Sequence, residues 1–186
     1  MYKSFTFLFV LFTLTATPCK YLAQTCPTPE DISSKTMSLF EKATDKKKKK
    51  TTEERIEMLK EVVNRQDDFG AAYEALVGFL FKQAKKDREF SGECIAATAN
   101  WIELCGDQSE AHYILGALAF ISGDASSALV EFEKYIAQTD EESENEMLSK
   151  RTLRKRRDVL EMIPEARFEV QYYSNRNAYK PEPLTY

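Results

Sequence analysis

The side chains able to do chemistry in this 186-residue chain are few and widely scattered. His112 is the one histidine, and no C-x-x-C pair accompanies it. A zinc-type site needs three or four nitrogen or sulfur ligands at close spacing, so no metal site is expected. No Cys-His-Asp set can be placed around His112, which reads as a partly buried helix residue and not as a base. The adjacent acids Glu53-Glu54 and Asp67-Asp68 fall at a helix start or in a loop, where a solvated carboxylate is the ordinary state. Gly70, Gly78 and Gly92 stand alone, so no glycine-rich loop is present to cradle a phosphate. The reading is non-enzymatic, with no catalytic residue and no cofactor.

The cysteines admit less chemistry than their number suggests. Cys94 and Cys105 lie eleven residues apart. On one helix that is about 16 Å, too far for a disulfide, so both read as small buried hydrophobes. Cys26 sits in the leader TCPTPED and is expected either free or paired with a partner molecule. Cys19 belongs to a segment expected to be removed. Lys3, the ten-residue apolar run Phe5 to Leu14 and the polar stretch ending Leu22-Ala23-Gln24 read as a secretory signal peptide over residues 1–23. The run is too short to span a bilayer, and no later segment is apolar enough. Pro18 and Thr25 precede Cys19 and Cys26, which argues against a lipid anchor. Cleavage would lower the 26 basic residues to 24 against 30 acids, a net charge of −6. A mildly acidic chain is not a nucleic-acid binder by design.

The remaining body, rich in Ala, Leu, Glu and Lys and without proline between Pro29 and Pro164, suits an all-α domain over residues 24–163. Asp31 or Ser33 can cap a first helix to about Thr44. The five lysines Lys46 to Lys50 repel one another and suit a solvated connector. Thr51 to Glu54 has a hydroxyl cap and acids in the first turn, and Ile56, Leu59, Val62 and Val63 then share one helical face. Helices follow over about 69–84 and 90–104, with Gly106 as a stop. Ser109 to Asp140 reads as two helices joined at Gly123, a left-handed cap. Gly116 is small where a neighbour must come close, Ala128 is small at the helix crossing, and Phe132 fills the seam. Beyond Asp140 the acidic EESENE suits a loop and helix start. A basic helix to about Met162 follows, ended by Pro164.

The order Leu115, Gly116, Ala119, Gly123, Ala128, Phe132 resembles the tetratricopeptide repeat (TPR), a helix–turn–helix unit of about 34 residues. Leu76, aligned with Leu115, begins a second, less regular copy, and the two preceding helices resemble a degenerate third. The resemblance implies a short solenoid of helix pairs with a C-terminal capping helix and an extended tail over 164–186. It also implies a concave face formed by the first helix of each pair. With Gly70 and Ser109 as first positions, that face holds Glu74, Gly78, Phe81, Lys82, Tyr113, Ala117 and Phe120. The implied function is protein–protein interaction, binding another envelope protein or peptide.

In the tail, Tyr173, Asn175, Asn177, Pro181, Pro183 and Leu184 resemble the stretch that follows the repeats in TPR proteins of the Bacteroidetes cell envelope. Those proteins continue into a β-propeller and an OmpA-like domain. The implied location is the periplasm or the outer membrane. One alternative is a detached N-terminal module of such an anchoring protein, and a weaker one is a small-ligand carrier or enzyme subunit. Partner identity and oligomeric state are not legible.

Overall fold

A computed structural model describes residue 26, residues 32–145 and residues 147–178, and the expected signal peptide and residues 179–186 lie outside these. Seven α-helices run through the described residues: α1 (Ser34–Thr44), α2 (Thr52–Arg65), α3 (Gly70–Ala84), α4 (Ser91–Cys105), α5 (Ser109–Ser122), α6 (Ala125–Asn145) and α7 (Lys150–Ala178). A 3₁₀ turn, Arg88–Phe90, leads into α4. The all-α expectation holds, and no strand occurs among the described residues. Each helix packs on the one before and the one after it, α4 on α5 being the thinnest seam, and α5 also touches α7.

The caps are those the sequence allows. Ser33 accepts the Thr36 amide at 3.1 Å. Thr51 and Glu54 form a reciprocal capping box, each side chain accepting the other's backbone N–H. Gly123 closes α5 at φ 81°, in the left-handed region where a side chain would be strained. The lysine connector is held from beneath by a residue with no distinguishing sequence signal. Arg55, buried in α2, donates to the carbonyls of Ala43 at 2.5 Å, Asp45 at 2.9 Å and Lys48 at 2.8 Å.

Two apolar clusters form the core. The larger spans α1 to α5 and includes Ile56, Leu59, Leu76, Leu80, Trp101, Ile114 and Leu118. The smaller joins α5, α6 and α7 through Ala128, Phe132, Tyr135, Val159 and Ile163. Within the α5–α6 hairpin, Gly116 allows the close approach. A methyl group built there would lie 2.5 Å from the Phe132 ring.

Three expectations need correction. The acidic stretch after Asp140 is helical, because α6 continues to Asn145; glutamate propagates a helix well. Pro164 does not end the last helix, and residues 164–178 are not an extended tail. A proline inside a helix removes one donor to the carbonyl four residues earlier, here that of Leu160. Leu160 and Pro164 are both exposed, so the lost bond falls on the solvent side of the helix. Val159, Ile163 and Ala166 are buried on either side and hold the two halves in line against the body.

The third correction concerns the leader. Cys26 is joined to Cys105 by a disulfide, so neither is free and Cys105 is not a simple core residue. The bridge ties the leader to the end of α4, beside the start of α3. There Gly70 makes room: a Cβ at that position would lie 2.7 Å from the Cys105 sulfur and 2.8 Å from the Cys26 sulfur. Cys94 is buried as expected, and burial pushes its thiol up to about 12.

The disulfide closes a separation of 79 residues. On the chain-entropy argument it contributes about 4 kcal/mol. Reduction, or Cys26→Ser, is expected to lower the urea midpoint accordingly; an unchanged midpoint would refute the bridge. Gly116→Ala is expected to cost about 1–3 kcal/mol in thermal unfolding, because the Phe132 ring is pinned between α5 and α6 and has to move.

Candidate groove and histidine clamp

The residues of α3 alternate between two duties. Leu76, Val77 and Leu80 are buried, whereas Glu74, Gly78 and Lys82 recur every four residues on an exposed face. That face borders a half-open groove of about 640 Å³. Phe40 and Thr44 of α1 form one side of it. Ala71, Ala75, Gly78 and Phe79 of α3 supply the apolar floor. Ile114 and Glu110 of α5, with Arg151 and Thr152 of α7, complete the other side. Trp101 of α4 reaches the lining from behind, and its buried indole N–H meets no acceptor among the described residues.

Charges crowd the rim. Lys46, Lys82 and Arg151 are the cations, and Glu74 and Glu110 the anions. Glu110 is committed internally: Lys155 donates to both its carboxylate oxygens, and Arg151 approaches it at 3.5 Å. Burial draws Lys155 below the usual lysine range, and its bond to Glu110 opposes that shift. Among the described residues, the rim charges without an ion-pair partner are therefore Lys46, Lys82 and Glu74.

The seven residues expected on the concave face divide. Glu74, Gly78 and Lys82 line the groove. Phe81 and Ala117 are buried, at 8% and 7% exposure. Tyr113 is half-buried behind the groove wall, its ring 5.9 Å from Phe81 and 5.6 Å from Tyr135, with the Lys155 ammonium 4.6 Å above it. Burial raises the Tyr113 hydroxyl above the ordinary tyrosine range. Phe120 packs 6.2 Å from Phe132 in the smaller cluster. The aromatic anchors thus hold helices together, and the open face is carried by small and charged residues. Phe40, Phe79 and Arg151 were not anticipated as lining residues. Phe79 falls one turn beyond Ala75, a spacing visible in the sequence, but the approach of α1 and α7 is not.

His112 occupies a separate clamp on the other side of α5. Its Nε2 lies 2.6 Å from an Asp107 oxygen and its Nδ1 2.5 Å from a Glu131 oxygen. Gln138 donates to the second Asp107 oxygen at 2.9 Å, and Lys134 to the second Glu131 oxygen at 3.1 Å. A carboxylate can only accept, so both contacts are satisfied when both ring nitrogens carry hydrogen. Each ring nitrogen faces a carboxylate oxygen. The residue is 3% exposed and joins the α4–α5 loop to α5 and α6. Sequence reading placed it in a helix packing position and missed the clamp, because Glu131 comes from the next helix and Asp107 from outside the helical spacing.

No known protein family, characterised protein or solved structure matches the chain. No group of histidine, cysteine and acidic side chains suited to a metal occurs among the described residues. No described helix is long and apolar enough to cross a membrane.

His112→Leu is expected to destabilise the fold by about 2 kcal/mol, since it removes the partner of one oxygen of the mostly buried Glu131 carboxylate and leaves only Lys134 on the other. Adding Glu131→Leu is expected to recover part of the loss. A denaturation cycle showing purely additive costs would contradict the clamp.

Proposed function

We propose that the chain is a non-enzymatic adaptor, TPR-like in its helix pairs, that binds an extended or helical peptide segment of another protein in the groove between α1, α3, α5 and α7. The observation that carries this reading is the groove itself, an apolar floor of Ala71, Ala75, Gly78 and Phe79 under a rim of Lys46, Lys82 and Glu74. A floor of small residues lets a side chain of the bound segment reach the surface of α3, and the rim charges set its orientation. The helix pairs α1–α2, α3–α4 and α5–α6 and the Gly116–Phe132 contact support the likeness to TPR units. Both His112 nitrogens being taken by carboxylates favours binding over catalysis.

The proposed setting is the periplasm or outer-membrane surface of an exported protein. The apolar run Phe5 to Leu14 supports export. The Cys26–Cys105 disulfide supports an oxidising compartment, since such bridges persist outside the reducing cytosol.

Gly78 offers a clean test. A Cβ there meets nothing within 4 Å, and the position lines the groove. Peptides selected from a random library on the folded chain are expected to lose binding to Gly78→Trp and to weaken on Lys82→Glu. The Gly78→Trp melting temperature is expected to hold or rise slightly, because glycine is a poor helix former by up to about 1 kcal/mol. Retained peptide binding by Gly78→Trp would remove the groove from consideration.

A further inference from the structure

The last helix is unfinished on its outer side. A terminal helix of a stacked array ordinarily turns a polar face to water. On α7, Val159, Ile163 and Ala166 face the body and are buried. Leu153, Leu160, Phe168 and Tyr172 point elsewhere, with exposures of 51%, 50%, 69% and 53%. Leu153 and Leu160 are two helical turns apart and so share one side. Phe168 stands two turns further on from Leu160, about 80° round the helix from it, and its ring is stacked on Tyr172 at 6.4 Å.

The charges beside this stripe are sorted by sign along the helix. Arg154 and Arg157 precede Leu160, whereas Glu161 and Glu165 follow it, and all four are exposed; the exposed Asp158 is the one acid between Lys150 and Leu160. Four other cations of α7 are paired with acids of the body. Lys155 and Arg151 hold Glu110, Arg156 pairs with Asp140, and Arg167 with Glu133 at 2.9 Å. Arg154, Arg157, Glu161 and Glu165 have no ion-pair partner among the described residues.

We propose that the outer face of α7 is a homodimer surface, which a second copy of this chain covers antiparallel about a two-fold axis at Leu160. A two-fold axis at that point sets Leu160 against its own copy and Leu153 beside Phe168 of the second copy. It also sets Arg154 opposite Glu165 and Arg157 opposite Glu161, each pair formed twice. A helix basic on one side of an apolar centre and acidic on the other is complementary to itself when reversed. A parallel arrangement would place like charges together. The groove opens on the other side of α7, next to Arg151 and Thr152, so pairing leaves it accessible and the proposal does not rest on the groove.

The test is light scattering and sedimentation of the full disulfide-bonded chain across a concentration series reaching the sub-millimolar range. A mass of twice the chain, growing with concentration and weakened by salt, is expected. Leu160→Asp is expected to abolish dimerisation without changing helicity. Arg154→Glu or Glu165→Arg alone is expected to weaken it about tenfold or more, and the double charge swap to restore it. These two residues are too far apart on one helix to pair with each other, so restoration reports a contact between copies. A monomer at every concentration would overturn the proposal. So would a dimer indifferent to Leu160→Asp, or one that the double swap fails to restore.

Discussion

The position of Tyr113 is the constraint on which the groove depends. Its ring meets Phe81 of α3 and Tyr135 of α6, and the Lys155 ammonium of α7 lies over its face. It is packed against both apolar clusters, and so it joins the α1–α5 layer to the α5–α7 layer. The α4–α5 seam is thin, which leaves much of that coupling to α5 itself. Ring packing and a desolvated cation are each worth about 1 kcal/mol or somewhat more, and here they act on one side chain. Once Tyr113 is fixed, Lys155 is fixed, and Lys155 holds Glu110 at the groove edge. The open wall of the groove is thus the outward expression of a packed aromatic seam.

That arrangement explains which parts of the fold were legible in the sequence. The α5–α6 hairpin was readable because its signals are local: Gly123 has to be left-handed, and Gly116 and Phe132 pair small against large. The α2 start was readable for the same reason, with Thr51 and Glu54 only three residues apart. What escaped depends on distant segments meeting. Cys26 and Cys105 are 79 residues apart, and nothing near either one announces the other. Gly70 was the indirect trace of their bridge, a glycine at a helix start where alanine would serve unless something lay against it. Pro164 misled because its local rule is sound for an isolated helix. Here burial of Ile163 and Ala166 beside it outweighs one lost hydrogen bond on the wet side.

The concave-face assignment rests on two helices whose periodicity carries little direction. The helices α3 and α5 are apolar over most of their circumference, so their sequences mark which residues are large without marking which side is covered. Phe81 and Tyr113 were read as anchors for a partner because aromatic residues serve interfaces well. They serve one here between the protein's own helices. Glu74, Gly78 and Lys82 line the groove, since charged and small residues tolerate exposure wherever the neighbours stand.

The two faces of α7 follow from one allocation of charge. A helix with six basic residues between Lys150 and Arg157 would repel itself in isolation. Three acids on other helices, Glu110, Asp140 and Glu133, draw Arg151, Lys155, Arg156 and Arg167 toward the body and in doing so fix the rotation of α7. That rotation is what buries Val159 and Ile163 and brings Arg151 to the groove. It also leaves Arg154, Arg157, Glu161 and Glu165 facing outward around Leu160. Turning α7 to hide Leu160 and Phe168 would expose Val159 and Ile163 and break the pairs to Glu110 and Asp140. The exposed stripe is therefore a consequence of the ion pairs that seat the helix, and only a surface from outside the chain's described body can cover it without undoing them.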